Sequence, residues 1–260
     1  MQFKSQNESI EQLELLAKSN RQSILIEGPT GCGKSYIARQ YATMVGVDDF
    51  VSVAPKVADI REAVEACIVN RTKILLCIEN LDCGVAAASY TLLKFLEEPI
   101  DGVYIIVTCR DIKLVPDTII SRSTVITVQP PRIEDINLYA EYKDRAKFLS
   151  LCNKRVWRCS RSFYDADEIF KMNATQIDYY ETIDKFCQFN DNITNIVWNI
   201  SHYDSNTSCN VELAIRCIMD VLQKPFITKC GIECIRDLST KRIAAHAVLA
   251  KFAFNCKYCE

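Results

Sequence analysis

Apolar residues recur along this chain in two alternating rhythms. From Ser9 to Lys18, Ile10, Leu13, Leu15 and Leu16 fall at helical spacing, and Ser-Ile-Leu-Ile-Glu at 23–27 follows as a short, continuously apolar run, the pattern of a buried strand. Gly28 to Gly33 interrupts the pattern, and Lys34 to Val45 resumes it as a helix carrying Ile37, Ala38, Tyr41 and Met44. The order then repeats. Phe50 to Val53 predicts a strand, Val57 to Val69 a helix, Lys73 to Ile78 a strongly apolar strand, Ala86 to Glu97 a helix and Val103 to Cys109 another strand. A last strand over Thr124 to Val128 closes on Pro130-Pro131, which cannot continue a ladder. Alternation of this kind predicts an α/β domain, a parallel sheet with helices on both faces.

Beyond Pro131 the strand rhythm stops. Helical periodicity runs over Ile133 to Cys152, Ala166 to Met172, Thr175 to Phe189, Asn210 to Gln223 and Thr240 to Phe254. The expected organisation is an α/β domain over 1–130, a helical domain over 131–190 and a second, short helical domain over 191–260. The second boundary rests on the turn cluster Asn190-Asp191-Asn192.

The interruption after the first strand carries the chemistry. Gly28-Pro29-Thr30-Gly31-Cys32-Gly33-Lys34-Ser35 fits G-x-x-x-x-G-K-[ST] and sits between an apolar strand and a helix, where a P-loop must be. Its glycines let successive backbone N–H groups turn inward on phosphates, where the positive end of the helix dipole also points. Lys34 is expected to reach the terminal phosphates and Ser35 to ligate magnesium, with Tyr36 the next residue of the site. The partner of such a loop is an acidic residue at the end of a neighbouring strand, and Ile74 to Ile78 runs into Glu79-Asn80-Leu81-Asp82. Glu79 is the candidate for the magnesium site. The following position commonly carries a carboxylate that activates water, and here it is Asn80, whose amide cannot accept that proton. Slow hydrolysis, replacement by Asp82 or another group, and binding without efficient turnover are the open alternatives.

Composition narrows the classes. Forty-nine per cent hydrophobic and 25% charged residues describe an ordinary globular chain, and a run such as Ile74 to Ile78 is far too short to cross a bilayer. No membrane partner is expected. The opening Met1 to Glu8 lacks the apolar core of a secretory signal, so the cytoplasm is the expected address. Fourteen cysteines without an export signal are then reduced thiols that pack as small apolar residues. Cys230 with Cys234, and Cys256 with Cys259, have the local spacing of zinc-ligand pairs, but Cys230 and Cys234 equally share one helix face, so zinc is not expected. A net charge of −2 excludes a global pull on polyanions. The densest basic stretch, Lys154, Arg155, Arg158 and Arg161 with Trp157 and Phe163 interleaved, reads as a solvated face with Trp157 in the core, or as a local nucleic-acid contact.

Two further segments carry a resemblance. Tyr90 to Pro99, Tyr-Thr-Leu-Leu-Lys-Phe-Leu-Glu-Glu-Pro, closely resembles the segment after the acidic strand in sliding-clamp loader subunits of the AAA+ superfamily, the gamma- and delta-prime-type subunits of DNA polymerase III and their replication factor C-like counterparts. Pro116 to Ser123 is similar to their Ser-Arg-Cys segment, with Ser123 where Cys is usual. With the P-loop, the resemblance covers about the first half of the chain. It implies an AAA+ domain followed by a helical lid and a collar, ATP and Mg2+ as ligands, and a hetero- or homo-oligomer of five loader subunits. It further implies a sliding clamp and primer–template DNA as partners. Arg122 would then reach, in trans, the nucleotide held by a neighbour. A sensor threonine or asparagine falls near Cys109 and Arg110, one step from Thr108, and Arg155, Arg158 and Arg161 are candidates for an arginine in the lid. Glu79 replaces the commoner aspartate, and there is no room for the four-cysteine zinc module of many bacterial loaders. The compact, cysteine-rich form suits a phage or mobile-element version. The implied function is loading of a clamp by ATP binding and hydrolysis. A non-hydrolysing stator subunit, motivated by Asn80, and another AAA+ machine such as a helicase loader are the alternatives.

Overall fold

A computed structural model describes residues 3–70, 73–84, 86–174, 176–178, 180–181, 211–223, 225–239, 247–248, 251–252 and 254–255. It divides into two compact units, one formed by Met1–Ile136 with Ser162–Tyr164 and the other by Asn137–Arg161 with Asp165–Glu260.

The first unit is built on five strands, β1 (Ser23–Glu27), β2 (Asp49–Val53), β3 (Ile74–Ile78), β4 (Val103–Cys109) and β5 (Thr124–Thr127), in the spatial order β2-β3-β4-β1-β5. Every pairing is parallel, with Glu27 opposite both Cys109 and Thr127 and Ile78 opposite Val107. The central strands β3 and β4 are buried at every position, which is why they read as unbroken apolar runs, while edge strands β2 and β5 alternate with exposed residues. Successive side chains on a strand point to opposite faces and so supply two separate cores. On one face Leu25, Leu76, Ile78, Ile105 and Val107 pack with Ile60 and Val64 of α3 (Val57–Asn70) and Leu92 and Leu96 of α4 (Ala86–Glu97). On the other, Ile24, Ile26, Leu75, Cys77 and Ile106 pack with Leu13 of α1 (Asn7–Lys18) and Ile37 and Tyr41 of α2 (Lys34–Val45). Cys77 and Cys109 are fully buried in these strands. Burial, reinforced by Glu79 near the first and by Asp82 and Glu27 near the second, pushes both thiols up to about 12.

The N-terminal turn, Lys4–Gln6, is pinned by a carboxylate far along the chain. Asp135 Oδ1 accepts the Lys4 N–H at 2.8 Å and Oδ2 the Ser5 N–H at 3.1 Å. That anchor delivers Gln6, itself fully buried, to the loop after β1. A short α5 (Asp117–Ile120), too brief to register as a periodicity, precedes β5.

In the second unit, α6 (Ile133–Leu151), which starts in the first unit, is interrupted at Asp144, at φ −156° and ψ 91°. The Asp144 carboxylate accepts the Lys147 N–H at 3.0 Å and so caps the segment that follows. The four-residue α7 (Arg155–Arg158) places Trp157 in the core, between Phe148 edge-on at 5.5 Å and Phe170 stacked at 5.7 Å. Phe170 lies on α8 (Phe163–Lys171). The buried Asp165 accepts from the Arg161 N–H and from Arg216 Nη1, both at 2.7 Å, tying α8 to α9 (Val211–Leu222). Then comes α10 (Pro225–Ser239), a helix that apolar periodicity did not predict. Gly231 in its middle and the β-branched Ile227, Thr228, Ile232 and Ile235 all lower helix propensity. Gly231 is there for packing, since a Cβ would meet Met219 Sδ of α9 at 2.3 Å. The predicted helices from 175 and from 240, the cluster at 190–192 and Cys256 and Cys259 fall largely or wholly outside the described residues. Among the described residues no helix is long and apolar enough to cross a membrane.

Candidate functional site

In an all-parallel sheet the carboxyl ends of the strands share one edge, and ligands gather there where the chain reverses its direction across the sheet. That reversal occurs at β1, whose next strand, β2, lies at the far edge. The glycine loop starts at this place. Gly28 N–H donates to Cys109 O at 3.1 Å, and a Cβ on Gly28 would lie 2.7 Å from the Val128 carbonyl oxygen. Gly31 and Gly33 adopt φ of +73° and +97°, which L side chains rarely adopt. Pro29 and Thr30 are exposed at the tip, whereas Cys32 is fully buried, and burial pushes its thiol up against the opposing field of Lys34.

Lys34 opens α2 with only 8% exposure. Its Nζ donates to Gly28 O at 2.7 Å and Pro29 O at 2.9 Å, so the amine already lies within the loop. Burial lowers its pKa below the ordinary lysine value, and the nearby Arg110 guanidinium adds to this while Cys32, Cys109 and Asp82 oppose it. A phosphate group beside that ammonium would oppose this lowering and favour the charged form.

Ser35 and Glu79 come together although 44 residues separate them. Ser35 Oγ donates to Glu79 Oε1 at 3.2 Å, and Ser52 Oγ of β2 donates to the same oxygen at 2.8 Å. A hydroxyl and a carboxylate in this arrangement are the hard oxygen donors that suit Mg2+. Among the described residues no cluster of three or more His, Cys, Asp and Glu side chains forms. Asn80 turns the chain sharply at φ 51°, and its N–H donates to Thr108 Oγ1 at 2.9 Å. Thr108 is 2% exposed at the end of β4. The Asp82 side chain is fully shielded from solvent, and Arg110 Nε donates to its Oδ2 at 3.0 Å. Its carboxylate is thus engaged by a cation rather than presented to solvent.

Arg122 lies on a different part of this unit. Its Nη2 pairs with Glu97 Oε1 at 2.8 Å and its Nη1 donates to Thr118 O at 3.0 Å, with both partners of the ion pair open to water. In the basic stretch of the second unit Arg158 and Arg161 are exposed, whereas the Arg155 side chain is only 13% exposed and Trp157 is anchored in the core. Trp157 is 1% exposed and its Nε1–H donates to Asn137 Oδ1 at 2.9 Å, while Arg155 faces Asp220 at 3.7 Å and Arg161 Nη1 donates to the Arg158 and Ser160 carbonyls. Cys230 and Cys234 are both buried on α10, as their helical spacing predicts.

Ser52 and Gln6 are absent from the sequence reading, and Arg110 and Phe163 enter it in other roles. Ser52 is the single hydroxyl of β2 and, in hindsight, the polar break in that strand was its signal. Arg110 was singled out only as a neighbour of the sensor position, and its pairing with Asp82 carries no local pattern. Gln6 Nε2 donates to Cys32 O at 2.7 Å, and Phe163 N–H donates to Gly31 O at 3.0 Å. Phe163 also packs on Phe3 with ring centroids 4.7 Å apart, and Phe3 meets the Tyr36 ring edge-on at 5.8 Å. Contacts between residues so distant along the chain leave no periodic trace.

Residues 54–132 match the family described as DNA polymerase III, delta subunit. That stretch includes Glu79, Asn80, Thr108 and Arg122 and begins after the glycine loop. Among solved structures, a DNA polymerase III gamma subunit-related protein from Thermotoga maritima is similar in fold, with a TM-score of 0.52, 14% sequence identity, and coverage of 96% of this chain and 99% of that chain. No curated protein sequence matches.

Proposed function

We propose that this chain is an ATP-binding subunit of a sliding-clamp loader of the AAA+ type. The observation that carries the reading is the Ser35–Glu79 hydrogen bond, which joins the glycine loop to the acidic end of β3 beside a buried Lys34. Gly28 to Tyr36 would surround the phosphates, Lys34 Nζ would exchange its loop carbonyls for the terminal phosphates, and Ser35 and Glu79 would hold Mg2+. When bound, the metal supplies charge neutralisation at the β- and γ-phosphates. Thr108 fixes the Asn80 backbone beside Glu79. Arg122 leaves its exposed partner Glu97 to reach a nucleotide on the neighbouring subunit, a bidentate task suited to guanidinium. Residues 131–190 serve as the lid and 191–260 as the collar through which a ring, of five subunits, assembles. ATP binding then favours a closed ring that opens a clamp and grips primer–template DNA in the cytoplasm, because the nucleotide has different affinities for the two states.

A second reading, a stator that binds ATP and hydrolyses it weakly, is favoured by one specific pair of observations. Asn80 carries an amide where a base is needed, and Asp82 is buried against Arg110. The test of the main reading has two arms. Lys34→Ala is expected to abolish ATP binding with the fold intact, and unchanged affinity sinks the P-loop assignment. With a non-hydrolysable ATP analogue the chain is expected to co-elute with loader subunits and a clamp; elution without a clamp under all nucleotide conditions points instead to another AAA+ machine.

A further inference from the structure

A P-loop works through backbone N–H groups, and their direction is set by the carbonyls that precede them. In a trans peptide the N–H of one residue points opposite to the C=O of the residue before it. Whatever holds the Cys32 carbonyl on one side therefore turns the Gly33 N–H to the other. Here the holder is a side chain from outside the loop. Gln6 Nε2 donates to Cys32 O at 2.7 Å across 26 residues, from a side chain with 0% exposure. The fit is close, since a Cβ on Gly33 would lie 2.2 Å from that same nitrogen.

Two facts argue that Gln6 does more than fill space. Its second amide atom, Oε1, is buried with no hydrogen-bond partner among the described residues, so the carboxamide occupies a place where an apolar residue of equal size would avoid an unmet acceptor. Furthermore, the neighbouring carbonyl, Gly31 O, is held in the same way by the Phe163 N–H at 3.0 Å, which fixes the Cys32 peptide as Gln6 fixes the Gly33 peptide. Asp135 in turn pins the turn that carries Gln6.

We propose that Gln6 is a positioning residue of the nucleotide site, holding the Cys32 carbonyl outward so that the Gly33 N–H faces the phosphates. The inference rests on the P-loop reading given above. Gln6 touches the loop and not the phosphates, so its effect falls on ADP and ATP alike.

The test is calorimetric titration of the full chain with ADP and with a non-hydrolysable ATP analogue, in wild type, Gln6→Met, Gln6→Glu and Lys34→Ala. Gln6→Met keeps the volume and removes the donor, and is expected to weaken both nucleotides about tenfold, the worth of one well-formed hydrogen bond. Gln6→Glu has no donor at neutral pH and sets a carboxylate against Cys32 O, so its loss is larger. As pH falls and that carboxyl protonates, it regains an O–H donor, and its affinity relative to wild type at the same pH recovers. A purely structural role would not produce that recovery. If Gln6→Met fails to fold, the pH profile of Gln6→Glu decides alone. Wild-type affinities in both Gln6 variants, or a Gln6→Glu loss that stays constant with pH, overturn the proposal while leaving the P-loop reading intact. A wild-type chain that binds neither nucleotide, or binds as Lys34→Ala does, overturns both.

Discussion

The Ser35 hydroxyl donates to Glu79 Oε1 across 3.2 Å, joining the first turn of α2 to the residue that leaves the fully buried strand β3. Both residues reach the edge of the sheet on rigid elements, and the carboxylate is held from a second side by Ser52. If this pair is the magnesium site, Glu79→Gln separates charge from shape. The amide oxygen still accepts from both hydroxyls, but the negative charge is gone. The Mg2+-dependent part of ATP affinity is expected to fall at least tenfold, about 1.4 kcal/mol, with unfolding temperature changed by no more than a few degrees. Titrations with and without Mg2+ check this, and an unaltered metal dependence rejects Glu79 as a ligand.

Asn80 bears on turnover. Its φ of 51° is a conformation that asparagine tolerates better than most residues. Asn80→Glu places a base after Glu79 at a backbone cost of about 1 kcal/mol. The expected result is ATP hydrolysis raised by roughly an order of magnitude or more, in line with the usual worth of a positioned base. Steady-state phosphate release measures it. No gain in Asn80→Glu, with ATP binding retained, would mean that the missing carboxylate does not limit the reaction.

Asp135 makes the N-terminal anchor sensitive to pH. Burial raises its carboxyl, but the hydrogen bonds from Ser5 and from the Lys4 and Arg132 backbone outweigh this and leave it below its ordinary 3.8. A folded value depressed below the unfolded one stabilises the protein above the unfolded pKa, and that contribution disappears as pH falls through the folded value. Wild type should therefore be more stable than Asp135→Asn at pH 7, by about 1 kcal/mol as for a lost cap. The two unfolding curves should converge as the pH falls below the depressed folded value of this carboxyl. Chemical denaturation across that range tests the sign, and parallel curves would contradict it.

Trp157 distinguishes a core residue from a base-stacking one. Packed between Phe148 and Phe170 with its indole nitrogen satisfied by Asn137, it should cost about 3–5 kcal/mol when cut to alanine. With Trp198, the chain's second tryptophan, replaced by Phe to leave one fluorophore, its emission should be that of a buried indole and should not respond to single-stranded DNA. Quenching by DNA would place the ring at a nucleic-acid surface instead.

Much of the first unit was legible because its signals are local. A fully buried strand such as Ile74–Ile78 leaves a continuous apolar run, and the alternation of such runs with helical periods implies the parallel sheet. The glycine loop was legible because positive φ and close backbone approach leave glycines at fixed offsets. What escaped is non-local or propensity-poor. Nothing near Gln6 marks it as a partner of Cys32, Asp82 shows no sign of Arg110, and α10 hides behind Pro225, Gly231 and its β-branched residues because its stability comes from packing on α9.

The cysteines of the central strands give this architecture its own clock. With thiols pushed to about 12 and no exposure to solvent, Cys77 and Cys109 are almost wholly protonated and shielded at neutral pH in the native state. An alkylating reagent can reach them only when β3 and β4 separate from their covering helices. The rate at which these two sulfurs are labelled therefore reports the opening of the sheet itself, and a nucleotide that ties α2 to the end of β3 should slow it in proportion to its occupancy.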